Sequence, residues 1–219
     1  MRAAHEATLA LTFECSEEVI AAPAMPAKAK HTLESALRFW EEQKMCDDED
    51  VWHEFFSANG EILALSLPGS ALQIGSKCFV GGKDYLNQGG GITDFIYTPH
   101  DYEGVTLVEI KTPETRLIGS QYRNRCFAPS ADLSGSVVQA LHYKRLAQSD
   151  LQKLFERAAR KPSFDDIQVA VLVGKSESLD TESEKRRSFQ LFKSAVREVQ
   201  IITYDELFGK VKMILEIPR

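Results

Sequence analysis

The run IQVAVLVGK, residues 167–175, carries apolar side chains at almost every position from Ile167 to Val173. Successive side chains on a strand point to opposite faces, so a strand written this way buries both of them. Burial on both faces belongs to the interior of a parallel sheet with helices above and below. VTLVEIK, residues 105–111, has the same texture until Glu109 and Lys111 interrupt it. Upstream, LQIGSKCFVG (72–81) and TDFIYT (93–98) are short apolar runs bounded by Gly, Pro and Asn, and read as further strands. Helical spacing runs through HTLESALRFWEEQKM and through DEDVWHEFFSANG, which Asp47 or Asp48 caps and Asn59-Gly60 stops. An amphipathic helix opens at Ser134 and continues through DLQKLFERAAR after a break expected at Ser149-Asp150. A charged helix (TESEKRRSFQLFKSAVREV), the strand QIITY and a last helix (DELFGKVKMIL) close the chain, while residues 114–132 read as a long irregular loop. Strands clustered first and then alternating with helices define an α/β class, a mixed β-sheet flanked by helices.

The 219 residues, 43% of them hydrophobic, suffice for one large domain. Residues 1–30, with the ATLALTF strand candidate at 7–13 and the Ala/Pro connector AAPAMPAKAK at 21–30, read as an N-terminal appendage, and 31–219 as the main domain. No stretch reaches the roughly 18 apolar residues of a membrane helix, and acids break up the apolar region a signal peptide needs, so a soluble cytoplasmic protein is expected. The four cysteines are widely separated and form no Cys-x-x-Cys pair, which removes zinc knuckles and disulfide frameworks. A net charge of −6 speaks against a generic nucleic-acid coat, but between Lys111 and Arg125 four cations face one acid, Glu114. Arg116, Arg123 and Arg125 are the candidates for phosphate-backbone contact.

Glu109 and Lys111 fall on one face of their strand, Val108, Ile110 and Thr112 on the other. An edge strand with a charged solvent face gives the same pattern. Three features favour a site instead: the strand is apolar on both faces before Glu109, Asp94 opens a second strand fifteen residues earlier, and Gln139 and Tyr143 share a helical face downstream. A hairpin partner carrying Asp94 brings a second carboxylate beside Glu109. With the Ile110 backbone carbonyl, the two carboxylates form a hard-oxygen ligand set suited to Mg²⁺. In that arrangement Lys111 orients a metal-activated water and offsets charge on a phosphoryl transition state.

Asp94, Glu109-x-Lys111 and Gln139-x-x-x-Tyr143 resemble the PD-(D/E)xK nuclease superfamily in its QxxxY variant. The likeness is closer still to the Shedu family of bacterial antiviral defence nucleases, through Glu49-Asp-Val-Trp52-His53, Gly91-Ile-Thr-Asp94-Phe95, Val108-Glu109-Ile-Lys111-Thr-Pro113, the Gln139 helix and Thr203-Tyr204-Asp205-Glu206-Leu207. The five motifs stand in order from about residue 45 to the C-terminus. Thr93 replaces the proline of "PD", and His53 stands where the family often has Gln.

The resemblance implies a restriction-endonuclease-like αβββαβ core with Asp94 and Glu109 on Mg²⁺, for which Mn²⁺ can substitute. It further implies Lys111 on the nucleophilic water, Gln139 assisting catalysis and Glu49 as an additional acid at the metal, with Tyr143 beside the bound DNA. The expected activity is metal-dependent endonucleolytic hydrolysis of DNA in anti-phage defence by a homo-oligomer, dimer or tetramer, with no membrane partner. With only about 45 residues ahead of the core, no sizeable sensing domain is expected. The alternative is a catalytically silent nuclease fold used for DNA binding or assembly. Trp40 and Trp52 read as core, His100 and His142 as surface or supporting groups, and His53 as either a site residue or packing beside Trp52. Gly89–Gly91 precedes a strand rather than a helix and so reads as a turn, not a nucleotide cradle.

Overall fold

In the computed structural model the two apolar runs lie side by side as parallel strands, with Leu107 opposite Val169 and Glu109 opposite Val171. The structure describes residues 25–217 except 70, 82–89 and 157; the strand candidate at 7–13 lies outside the described residues. The elements run α1 (Ala27–Gln43), α2 (Glu49–Ala58), α3 (Gly60–Ala64), β1 (Ala71–Val80), β2 (Gly91–Pro99), β3 (Val105–Ile110), β4 (Ile118–Arg123), β5 (Cys126–Pro129), α4 (Ala131–Leu154), β6 (Ile167–Leu172), a 3-10 turn (Ser176–Leu179), α5 (Ser183–Ala195), β7 (Val199–Ile202) and α6 (Tyr204–Glu216).

Five strands form one mixed sheet in the order β1-β2-β3-β6-β7, antiparallel across β1-β2-β3 and parallel across β3-β6-β7. Strand alternation divides the core into two layers. Phe95, Tyr97, Val108, Ile110, Ala170, Leu172 and Ile202 pack against α1, α2, α3 and α6. Ile96, Leu107, Val169, Val171 and Ile201 pack against α4 and α5. The first layer is dense in aromatic rings: Trp40 stacks on Phe208 at 4.8 Å, and Trp52 meets Tyr204 edge-on at 4.6 Å. Both tryptophans are therefore core, as their helical spacing suggested.

Three local expectations change. The segment 114–132 is not an irregular loop, because β4 and β5 pair as an antiparallel hairpin across Ile118↔Pro129 and Arg123↔Cys126. Helix α4 begins three residues before Ser134, since Ser130 Oγ accepts the Leu133 amide at 2.9 Å and caps it there, and the helix passes unbroken through Ser149-Asp150. Helix α1 starts at Ala27, inside the segment assigned to the connector, with Pro26 immediately ahead of it. Cys46, Cys78 and Cys126 are free thiols. Among the described residues no helix is long and apolar enough to cross a membrane.

Candidate active site

The β2–β3 ladder ends at Phe95↔Val108, one residue from Asp94 on β2 and one from Glu109 on β3. Glu109 shares the parity of Leu107, so its carboxylate leaves β3 on the α4 side of the sheet. Asp94 Oδ2 accepts the Ile110 amide at 2.8 Å, which locks the carboxylate against the end of β3. The amide and carbonyl of one strand residue leave on the same edge, so the Ile110 carbonyl also points toward β2.

Lys111 stands just past β3 and bridges two acids: its Nζ lies 2.9 Å from Glu109 Oε1 and 3.2 Å from Glu49 Oε2. Glu49 opens α2, where Asp48 caps the helix by accepting the Asp50 amide at 3.0 Å. The loop before it is tied down by the Thr112 hydroxyl, which donates to Asp47 Oδ1 at 2.6 Å. Glu109 is only 4% exposed, and its Oε2 has no hydrogen-bond partner. Burial, reinforced by Asp94 and opposed by Lys111, pushes the Glu109 carboxyl up to about 7. Burial also raises Asp94, against the Ile110 amide, with Glu49 adding to the rise. Burial pushes Lys111 down, but Glu109 and Glu49 together outweigh it and hold the ammonium above its ordinary range. The arrangement is a desolvated carboxylate pair with one orphaned acceptor and a cation fixed at its rim.

Four of the expected residues, Asp94, Glu109, Lys111 and Glu49, thus converge. Gln139 and Tyr143 lie on α4, over the same sheet face, where Gln139 Nε2 donates to Tyr143 Oη at 3.0 Å. Among the described residues no hydrogen bond or ion pair joins Gln139 to the carboxylates or to Lys111. Arg116, Arg123 and Arg125 are exposed on the hairpin and its root, apart from the cluster. Arg125 pairs with Glu184 at 3.2 Å. His53 is buried packing: its ring stacks on Phe95 at 4.8 Å, and its nitrogens meet Ser57 at 3.4 Å and Ser76 at 3.3 Å.

Three supporting residues had no assigned role in the sequence reading, although Gly91 and Asp205 stood within its motifs. Gly91 is one, because a Cβ there would sit 2.2 Å from Tyr143 Cε1, so only glycine lets the Tyr143 ring close onto β2. Lys175, at the end of β6's apolar run, is buried and reaches the Lys44 carbonyl (2.8 Å) and Glu114 (2.5 Å), joining three loops at this end of the sheet. Asp205 is the third: it accepts the Ser176 amide at 2.8 Å and the Glu177 amide at 3.1 Å. Burial raises its carboxyl, but the Ser176 hydroxyl and amide outweigh that and hold it low. In the sequence, the signals were the motifs that hold Gly91 and Asp205 and the position of Lys175 directly after an apolar strand.

The sequence model of a family described as "Shedu protein SduA, C-terminal" matches residues 47–208. The Shedu protein SduA of Bacillus cereus (strain B4264) is 33% identical over 192 residues, which are 84% of this chain and 50% of that protein. The chain therefore spans half the length of this relative. Both ends of the family match fall on the site's supports, from Asp47 beneath Thr112 to α6, and the match encloses every residue of the carboxylate–lysine cluster. The chain belongs to the Shedu protein SduA family.

Proposed function

We propose that this chain is a metal-dependent endodeoxyribonuclease, built on a restriction-endonuclease-like core and acting on DNA in the cytoplasm in bacterial defence against phage. Membership of the Shedu family supports the defence role. The order α3-β1-β2-β3-α4-β6 supports the αβββαβ core. The observation that carries the chemistry is the orphaned Glu109 Oε2, buried beside Asp94 and one bond away from Lys111. Lys111 offsets one charge of the two desolvated carboxylates and leaves Glu109 Oε2 without a partner, and the residues present fit a further cation.

Among the described residues no three His, Cys, Asp or Glu side chains form a metal-ligand cluster. Asp94, Glu109 and the Ile110 carbonyl would therefore hold Mg²⁺ or Mn²⁺ with the remaining positions left to water and substrate phosphate, as suits Mg²⁺. Glu49, with its side chain 44% exposed, is not desolvated as Glu109 is, and serves better as the positioning partner of Lys111 than as a ligand. A bound divalent ion supplies positive charge to the phosphoryl oxygens and lowers the pKa of a coordinated water. Lys111 keeps its proton, orients the attacking water and offsets the negative charge that builds on the phosphoryl group. Gln139, held by Tyr143, is set over the same face to bind a water or a phosphate oxygen.

One observation favours a second reading. Lys111 already satisfies Glu109 and Glu49 in an internal ion-pair network, as a structural polar cluster in a silent DNA-binding or assembly module would. Supercoiled plasmid incubated with Mg²⁺, Mn²⁺ or chelator separates the two. The nuclease reading expects metal-dependent nicking that Asp94→Asn, Glu109→Gln and Lys111→Ala each abolish without altering self-association. Undiminished cutting in all three variants rules out these residues as the site. The dimeric or tetrameric state carried by the family belongs to the same proposal, with sedimentation as its check.

A further inference from the structure

We propose that the β4–β5 hairpin grips a DNA strand by stacking an unpaired base on Tyr122, flanked by arginines that hold its phosphates; this rests on the nuclease reading above. The hairpin is bracketed in sequence by Lys111 and by the α4 helix that carries Gln139, so chain connectivity ties both of its ends to elements of the candidate site. Its root is rigid. Leu117 and Ile118 are buried in the α4-side core, and Ser130 donates its amide to the Leu117 carbonyl at 3.1 Å. Six residues of β4 at about 3.4 Å each span on the order of 20 Å along α5.

Beyond Ile118 every β4 side chain from Ser120 to Arg123 is exposed, and Tyr122 is 75% exposed, the highest value among the large hydrophobic side chains described. The guanidinium of Arg123 lies 5.7 Å from the Tyr122 ring centroid. No acid occurs between Glu114 and Asp132, although the whole chain is at −6. The α5 helix adds to this surface, because its Ser188 hydroxyl accepts the Phe127 amide at 3.1 Å and Lys185 stands 5.7 Å from the Phe127 ring. That contact brings Lys185 alongside the hairpin, with Arg187 on the same helix.

Arg125, Lys185 and Arg186 are each offset by a neighbouring acid. Arg116, Arg123 and Arg187 have no ion pair among the described residues. An exposed aromatic ring accompanied by arginines that form no ion pair is the combination that binds a strand without regard to sequence, the ring taking a base and the guanidinium groups taking phosphate. A duplex offers such a ring no base face unless a base is unpaired, which commits the hairpin to single-stranded or locally opened DNA.

The test is anisotropy titration of the full chain, in chelator to prevent cleavage, with a labelled single-stranded oligonucleotide and a blunt duplex of equal length. Wild type should prefer the single strand. Tyr122→Ala should weaken that binding roughly 5- to 100-fold at unchanged salt slope, and Tyr122→Phe should stay near wild type because it keeps the ring. Arg123→Ala should instead lower the salt slope by about one. Wild-type affinity in Tyr122→Ala, or an equal loss on duplex and single strand, overturns the proposal. So does a change in self-association rather than in DNA affinity, which would make Tyr122 a contact between chains. Plasmid cutting by both wild type and a Tyr122→Ala variant that binds DNA normally defeats only the hairpin. Tyr122-dependent binding with no cutting under any metal defeats only the nuclease. No DNA binding by wild type defeats both.

Discussion

The hydroxyl of Tyr204, 93 residues downstream, donates to the backbone carbonyl of Lys111. Lys111 ends the strand that carries Glu109, and Tyr204 opens α6, fully buried among Trp40, Trp52 and Phe56. The first-layer core and the candidate site thus share one hydrogen bond, which sets where the Lys111 backbone turns and hence where its ammonium points. Tyr204→Phe keeps the ring and removes the donor, leaving a carbonyl unsatisfied at a cost of about 1–3 kcal/mol. Chemical denaturation should read that loss, and plasmid nicking should fall with it. Unchanged stability would mean that the carbonyl finds another donor.

The Glu109 carboxyl, raised from an ordinary 4.5 to about 7, links stability to pH. Its folded value lies above its unfolded value, so its contribution is fully present below about 4.5. It is lost as pH rises through 7, because the unfolded chain ionises this group first. The loss amounts to at most on the order of 3 kcal/mol. The melting temperature of the metal-free protein should fall across that interval, and Glu109→Gln should flatten the fall. A wild-type profile with no such slope would contradict the burial argument.

Divalent metal should stabilise the chain more at pH 8 than at pH 5, since the ligand carboxylates must be deprotonated to bind it. Asp94→Asn and Glu109→Gln should lose the metal-induced rise in melting temperature, whereas Glu49→Gln should largely keep it because Glu49 is half-exposed and stands outside the desolvated pair. A rise lost in Glu49→Gln as completely as in Asp94→Asn would return Glu49 to the ligand set.

Gly91→Ala places a methyl group against the Tyr143 ring and should destabilise the fold by about 1–3 kcal/mol. Tyr143→Ala makes room for it, so the double variant should cost less than the two single changes added together. Additive losses measured by denaturant titration would show that the ring moves aside freely.

Lys175→Met removes an ammonium whose partners are the Lys44 carbonyl and Glu114, and should cost about 1–3 kcal/mol. Its effect on nicking should exceed that of a distant core truncation of equal cost, because Lys175 ties down the loops that carry Asp47 and Thr112. Equal activity losses at matched stability would reduce Lys175 to a purely structural residue.

The apolar runs at 105–110 and 167–173 determined the central sheet, because continuous burial on both faces has few other solutions. The same pattern made Glu109 and Lys111 conspicuous, since charges inside such a run need a reason to be there. Strand and helix periodicity is local and was therefore legible. The hairpin at 118–129 was not, because its strands beyond Ile118 bury almost nothing and leave no apolar alternation to read. Likewise the cap at Ser130, the space at Gly91 and the bonds from Lys175 and Tyr204 depend on partners from 3 to 131 residues away. Residue types alone determined which groups were capable of chemistry. Only the pairing of β2 with β3 brought Asp94 to the Ile110 amide beside Glu109, and only the packing of α2 at the end of β3 brought Glu49 to Lys111. Distance between side chains is a property of the packed backbone, and no spacing along the chain encodes it.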